Sequence, residues 1–191
     1  MVLKIADIAS IFTGHQSRKA IEDEPLGTHH LLQIRDFDRD RTRLNLEGMI
    51  RFSPASLSGD KPLRKSDVVF LSRGQKNFAF ALPEMPSPTL ASAYFFILRP
   101  KEGVSGAYLA WYLNQPMAQQ HFKRLATTGA HMPVVTRDVI ESLKVPRPDL
   151  PTQERIVALD ALAQRQSQLL SELADKKRAM VNALCRRAAN L

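Results

Sequence analysis

The feature that most limits what this chain can fold into is a change of texture near residue 150. Residues 152–188 contain no glycine and no proline and are rich in Ala, Leu, Gln, Arg and Lys. Immediately before them runs Val145-Pro146-Arg147-Pro148-Asp149-Leu150-Pro151, with three prolines in six residues. Prolines remove hydrogen-bond donors and push their predecessors towards extended backbone, so this run predicts a stiff hinge. The segment after the hinge predicts one long helix, with Thr152 as its N-cap and Glu154 placing negative charge in the first turn. Apolar residues recur at Ile156, Leu159, Ala163, Leu170, Leu173, Met180 and Leu184. That is a heptad a/d stripe whose two missing slots hold Gln166 and Lys177. Leu162 and Leu169 widen it on one side. About 36 residues at 1.5 Å each make a rod of roughly 54 Å, which overhangs a small domain and needs another helix to cover its stripe. Packing of the whole stripe on its own globule is the competing expectation.

Residues 1–150 differ in every respect. They hold all eight glycines and all prolines but Pro151. Short apolar runs alternate with turns, which predicts a mixed α and β globule. Strand character falls on His30–Ile34, Met49–Phe52, Asp67–Ser72, Phe78–Leu82 and Tyr94–Leu98. Ile5–Phe12 reads as a strand or short helix. Helices are expected over Ser105–Asn114, Met117–Leu125 and Thr136–Leu143, and the proline-rich stretch from Pro83 to Pro88 as a loop. The expected division is therefore a domain at 1–150 and a helix at 151–191.

The 191 residues carry a formal net charge of +8. Lys and Arg outnumber Asp and Glu by 20 to 15 before residue 151 and by 7 to 4 after it, so both regions are basic. Such a balance favours a polyanionic partner, with nucleic acid first and an anionic membrane second. No apolar run approaches the ~20 residues of a membrane span. Asp7 interrupts the apolar start, which argues against a secretory signal. A single cysteine, Cys185, permits no internal disulfide. A cytoplasmic protein is expected.

Catalytic signatures are hard to find. The five histidines form neither a HExxH nor a Cys/His zinc pattern, so no metal is expected. Neither GxxxxGK[ST] nor GxGxxG occurs, so no nucleotide cofactor is expected. No glycine-rich loop precedes an Asn/Asp-Pro-Pro-Tyr/Phe run, which argues against a DNA methyltransferase. Asp36, Asp38, Asp40 and Glu47 have the spacing of a calcium loop, but Arg41 stands where the sharp turn needs glycine and interleaved arginines neutralise the charge. A solvated, salt-bridged hairpin is the better reading. The chain is expected to have no enzymatic activity; a stand-alone nuclease would have to reveal itself by magnesium-dependent cleavage.

Two polar, glycine-containing segments remain. Ser72-Arg73-Gly74-Gln75-Lys76-Asn77 follows the strongest strand, and Ala126-Thr127-Thr128-Gly129-Ala130-His131-Met132 follows a helix. Arg, Lys, Gln and Asn offer the donor and acceptor geometry that reads purine edges in the major groove, whereas hydroxyls and glycine-rich turns suit phosphates. The candidate DNA contacts are Arg73, Gln75, Lys76 and Asn77, then Thr128 and His131, then His15, Gln16 and Arg18 after the turn at Thr13-Gly14. Two ordinary turns would have the same composition.

Taken in order, these features resemble the specificity subunits of type I restriction-modification systems. The resemblance rests on Ile5-Ala6-Asp7-Ile8 with Thr13-Gly14, then Ser66-Asp67-Val68-Val69-Phe70 with Gly74. In that second element Ser66 stands where the family usually has glycine. Tyr108-Leu109 with Leu113 and the stretch from Gly129 to Pro133 come next. Its most specific part runs from Leu143 through the prolines to Gln153-Glu154-Arg155-Ile156, similar to the family's junction into a conserved helix. Asp149 and Thr152 replace the usual Pro and Glu there. The resemblance implies a non-catalytic, α+β target-recognition domain that reads one half of a bipartite DNA site. It also implies a coiled-coil helix that pairs antiparallel with another and docks methyltransferase subunits, and with them a restriction subunit. A typical member has two such domains and two helices, and this chain has one of each. It is therefore expected to act as a half-subunit whose missing partner is a second copy, although a different half-subunit would serve equally. The alternative is a partner-binding or inhibitory module that docks such a complex through its helix without reading DNA.

Overall fold

A computed structural model describes residues 1–17, 20–57, 59–127 and 133–189. In chain order the elements are β1 (Val2–Lys4), α1 (Ile5–Ile8), β2 (Ala9–Thr13), β3 (His29–Leu32), a 3-10 turn (Ile34–Asp36), β4 (Ile50–Phe52), β5 (Val68–Leu71), β6 (Ala79–Ala81), β7 (Thr89–Ala91), β8 (Phe95–Pro100), α2 (Gly106–Leu113), α3 (Pro116–Leu125), α4 (Arg137–Ser142), β9 (Lys144–Pro146) and α5 (Leu150–Ala188). The chain divides into two compact units, Met1–Gln153 and Glu154–Leu191. No helix among the described residues is long and apolar enough to cross a membrane.

The first unit is organised by a four-stranded antiparallel sheet in the order β2-β8-β5-β6. All four residues of β5 are buried, as a continuous apolar run requires when both faces of a strand are covered. Val69 and Leu71 face a core built with Leu32, Phe37, Phe78, Phe95 and Ile97. Phe37 sits at its aromatic centre, with ring centroids 5.0 Å from Phe78 and 5.2 Å from Phe80. On the opposite face Phe70 meets Phe122 of α3 at 4.8 Å. A second sheet, ordered β4-β3-β7, pairs β3 antiparallel to β4 and parallel to β7. Leu32 of β3 and Ala91 of β7 join the first core, while Leu31, Ile50, Phe52 and Leu90 form a smaller one.

The two sheets are stitched together where β2 ends. Gly14 donates its N–H to the Phe95 carbonyl, His15 donates to the Ala91 carbonyl, and His15 bridges Ser92 in parallel fashion. A Cβ on Gly14 would lie 2.1 Å from the Ser92 carbonyl oxygen, so only glycine allows this approach. A cross-strand ion pair pins β5 to β8. The carboxylate of Asp67, 1% exposed, accepts hydrogen bonds from Arg99 Nε at 2.8 Å and Nη2 at 2.7 Å, and from the Arg64 amide at 2.9 Å. Asp67 follows Ser66, whose φ of +67° lies in the left-handed region. That backbone explains why glycine suits position 66: there a side chain costs energy that glycine avoids.

Several expectations are refined. Ile5–Phe12 splits into α1 and β2. The strand Thr89–Ala91 has no counterpart among the expected strands, because three residues after a proline-rich loop carry too little periodicity. Asp38 accepts hydrogen bonds from the Thr42 and Arg43 amides and from the Thr42 hydroxyl, closing the arginine-rich turn with its own backbone. The expected hinge is part of the sheet structure. Lys144–Pro146 pairs with Val2–Lys4, and Pro146 is tolerated because this two-stranded sheet has only edge strands. The hydroxyls of Tyr108 and Tyr112 donate to the carbonyls of Pro146 and Lys144, and burial pushes both phenols above their ordinary pKa. The N-cap is Asp149, not Thr152: Asp149 Oδ1 accepts the Thr152 amide at 3.3 Å. Gln153 is fully buried. Its Oε1 accepts the Ser105 amide and its Nε2 donates to the carbonyls of Gly103 and Pro148.

Two substitutions test these backbone constraints by urea denaturation. Gly14→Ala should cost about 3 kcal/mol through the clash with Ser92. Ser66→Gly should leave the fold unchanged and stabilise it by about 1 kcal/mol, because it relieves the left-handed backbone.

Candidate nucleic-acid interface

Strands β2 and β5 lie on the two sides of β8 and both run against it. Thr13 pairs with Phe96, and Leu71 with Phe95. Both strands therefore end where β8 begins, and the segments after them emerge at the same end of the sheet. These are the first-turn segment at Gly14-His15-Gln16 and the loop at Arg73–Asn77. The described residues on either side of the third segment, Thr127 and Pro133–Val135, are tied to the same place. Val135 donates its amide to the Ser72 carbonyl at 2.8 Å, and Gly74 donates to the Pro133 carbonyl at 3.1 Å. Val134 forms isolated antiparallel bridges with both Arg73 and Thr127. Thr128 and His131, like Arg18, lie outside the described residues.

The loop after β5 is fixed at its base and open at its tip. Ser72 donates both its amide and its hydroxyl to the Tyr94 carbonyl at 2.9 Å. Asn77 Nδ2 donates to the Leu71 carbonyl at 2.8 Å, so this amide closes the loop on itself. Gly74 takes a φ of +123°, a turn that a side chain would strain. Arg73, Gln75 and Lys76 are exposed. The Arg73 guanidinium lies 5.8 Å from the centroid of the Tyr94 ring, a cation–π contact that orients it.

The first-turn residues differ in accessibility. Gln16 is exposed. His15 is 8% exposed, its Nδ1 lies 2.7 Å from Asp60 Oδ2, and its ring tilts against Phe52 at 5.3 Å. In this conformation the imidazole is engaged inside the protein.

The structure adds residues that the sequence does not single out. A cleft of about 680 Å³ separates the loop from α3, with Gln75 and Lys76 on one wall and Gln119, Gln120 and Lys123 on the other. Asn114, at the α2–α3 junction, accepts the Ala79 amide at 2.9 Å and returns a bond to the Ala79 carbonyl at 2.8 Å, clamping the helices to β6. Tyr94, 45% exposed, stands in the turn between β7 and β8. In the sequence it reads as the first residue of the apolar strand Tyr94–Leu98, which hides its exposure. The cleft is thus ringed by ammonium and amide donors, with the Arg73 guanidinium on the same loop, a set that suits phosphates and base edges. No group of His, Cys, Asp or Glu among the described residues could hold a metal ion.

The second unit holds helix α5 from Glu154 onward. Leu159, Leu162, Leu169, Leu170, Leu173, Met180 and Leu184 are all exposed along it, as is Ala163, and Ile156 is partly so. On another face Gln164 donates to Asp160, Arg165 to Gln168, and Gln168 to Glu172. The apolar stripe thus lies apart from a polar face that satisfies itself.

No protein-family model and no curated protein matches the sequence. Solved structures do. A chain from a type I R-M system, studied for complex assembly and conformational transition, superposes with a TM-score of 0.68 at 17% identity over 96% of this chain. The HsdS subunit from Thermoanaerobacter tengcongensis gives 0.61 at 18% identity over 90%. The type I restriction-modification S subunit from M. genitalium gives 0.56 at 11% identity over 90%. This chain spans about two fifths of each of them: 43%, 39% and 41% respectively. Over that length, an α/β unit followed by a long helix, it has the fold of the S subunits of type I restriction-modification systems.

Proposed function

We propose that this chain is a half-size specificity subunit of a type I restriction-modification or related DNA-modification and defence system. In this reading it reads double-stranded DNA and has no catalytic machinery of its own. The observation that carries the reading is the convergence of the polar segments after β2 and β5, joined by Thr127 and Pro133–Val135, at one end of a sheet in a unit with the fold of S subunits. Arg73, Gln75, Lys76 and Gln16 read or clamp DNA, and Thr128, His131 and Arg18, outside the described residues, are further candidate contacts from the sequence. His15 and Asn77 hold the backbone of their segments. Helix α5 pairs antiparallel with that of a second copy, so that two half-readers address one bipartite site, and it docks methyltransferase subunits. The net charge of +8 supports the nucleic-acid partner, and the exposed stripe supports the helical one.

Selection from a random DNA pool at moderate salt tests the reading directly: one bipartite sequence should be enriched, and no enrichment would sink it. Arg73→Ala should weaken binding to that sequence by ~1–3 kcal/mol and relax preference at one position. Uniform weakening on all sequences would make Arg73 a phosphate contact instead. Light scattering at micromolar concentration should return a dimer for the intact chain and a monomer when Leu170 and Leu173 are both changed to Asp.

A further inference from the structure

Resting on that dimeric reading, the polar residues inside the stripe decide how two copies align. We infer that the helices pair antiparallel in the one register that sets Gln166 of each copy against Lys177 of the other. The stripe is apolar at every a and d position from Ile156 to Leu184 except these two. Both residues are exposed, so each must enter or flank any interface the stripe makes. A polar side chain at such a position costs stability but specifies register, because every wrong alignment leaves it against apolar neighbours.

The possible alignments can be enumerated. A parallel, in-register pair stacks Lys177 on Lys177, two like charges in one layer. It also sets the two C-terminal halves side by side. Residues 172–191 carry five Lys and Arg against two acids, whereas residues 154–171 are balanced, two against two. Antiparallel pairing removes both repulsions, because each basic half meets a neutral one. Antiparallel registers differ by whole heptads. One neighbouring register places Gln166 against Leu170 and Lys177 against Leu159. The other places Gln166 against Leu184 and Lys177 against Leu173. Only the register between them matches polar with polar. It sets Gln166 against Lys177 twice, once on each side of the dyad, where the amide oxygen accepts from the ammonium. It then aligns Leu159 with Leu184, Ala163 with Met180, and Leu170 with Leu173 across the dyad. Outside the seam, Leu162 falls beside Ala183. The dyad lies between Ser171 and Glu172, so the two Gln153 anchors stand about 55 Å apart along the helices.

A charge exchange in the intact chain tests the register by sedimentation equilibrium. Gln166→Lys should raise the dimer Kd about tenfold or more, since each dimer gains two Lys–Lys contacts. Adding Lys177→Glu should bring the Kd back to or below the parent value, because each dimer then holds two Lys–Glu pairs. In a parallel pair the double variant stacks Lys on Lys and Glu on Glu, and in the shifted registers it sets both charges against leucine. A double variant no tighter than the single one would therefore overturn the register while leaving the dimer standing. A parent chain that stays monomeric at micromolar concentration would overturn both, and would assign the stripe to a helix of another protein. Both substitutions use good helix formers at exposed positions, so loss of helix is not expected to confuse the result.

Discussion

Pairing on both edges of β8 is the constraint on which the rest of the first unit depends. A strand flanked by two antiparallel partners forces both of them to finish at its beginning, whatever loops they carry. This brings Gly14 and Arg73, 59 residues apart in sequence, to one end of one sheet. The ion pair of Asp67 with Arg99 holds β5 and β8 in that register, with two bonds between guanidinium and carboxylate and a third from the Arg64 amide. Losing Arg99 would leave the buried Asp67 carboxylate without its countercharge, which is far more costly than the pair itself is stabilising.

Around this frame, rigid and variable parts are kept separate. Backbone bonds from Ser72, Gly74 and Val135 tie two loops together at their bases, while Arg73, Gln75 and Lys76 stay exposed at the tip. A surface arranged in this way can change what its side chains recognise without disturbing the fold, since none of the exposed groups supports the core. The cleft between this loop and α3 is built on the same plan, with Asn114 clamping the wall and Gln120 and Lys123 free to face outward. The candidate interface therefore derives from strand order, and its chemistry from residues that the fold does not need.

Much of this is legible in the sequence. The apolar run at Val68–Leu71 and the amphipathic pattern of α3 each contain enough local information to declare an element. The proline-free tail declares α5 in the same way. The features that escape such a reading are short or distant. Thr89–Ala91 is a strand only because β3 lies beside it, and Pro146 belongs to a strand only because Val2 pairs with it. Gln153 reads as an ordinary polar residue of a helix start, yet it is buried with three hydrogen bonds. His15 reads as an exposed loop histidine, yet Asp60, 45 residues away, encloses it. Partners so far along the chain leave no periodic trace.

The sequence by itself determined the two-part organisation, the long helix with its interrupted stripe, and the polar segments available for contact. It could do so because helix period, glycine and proline content and charge are local properties, read within a turn or two of chain. Only the tertiary structure decided that the polar segments converge, that Asp149 and Gln153 anchor the start of the helix, and that the loop after β5 and α3 border the same concavity. The physical reason is that convergence depends on which strands share hydrogen bonds. That pairing is set by burial of apolar faces contributed from the whole length of the first unit.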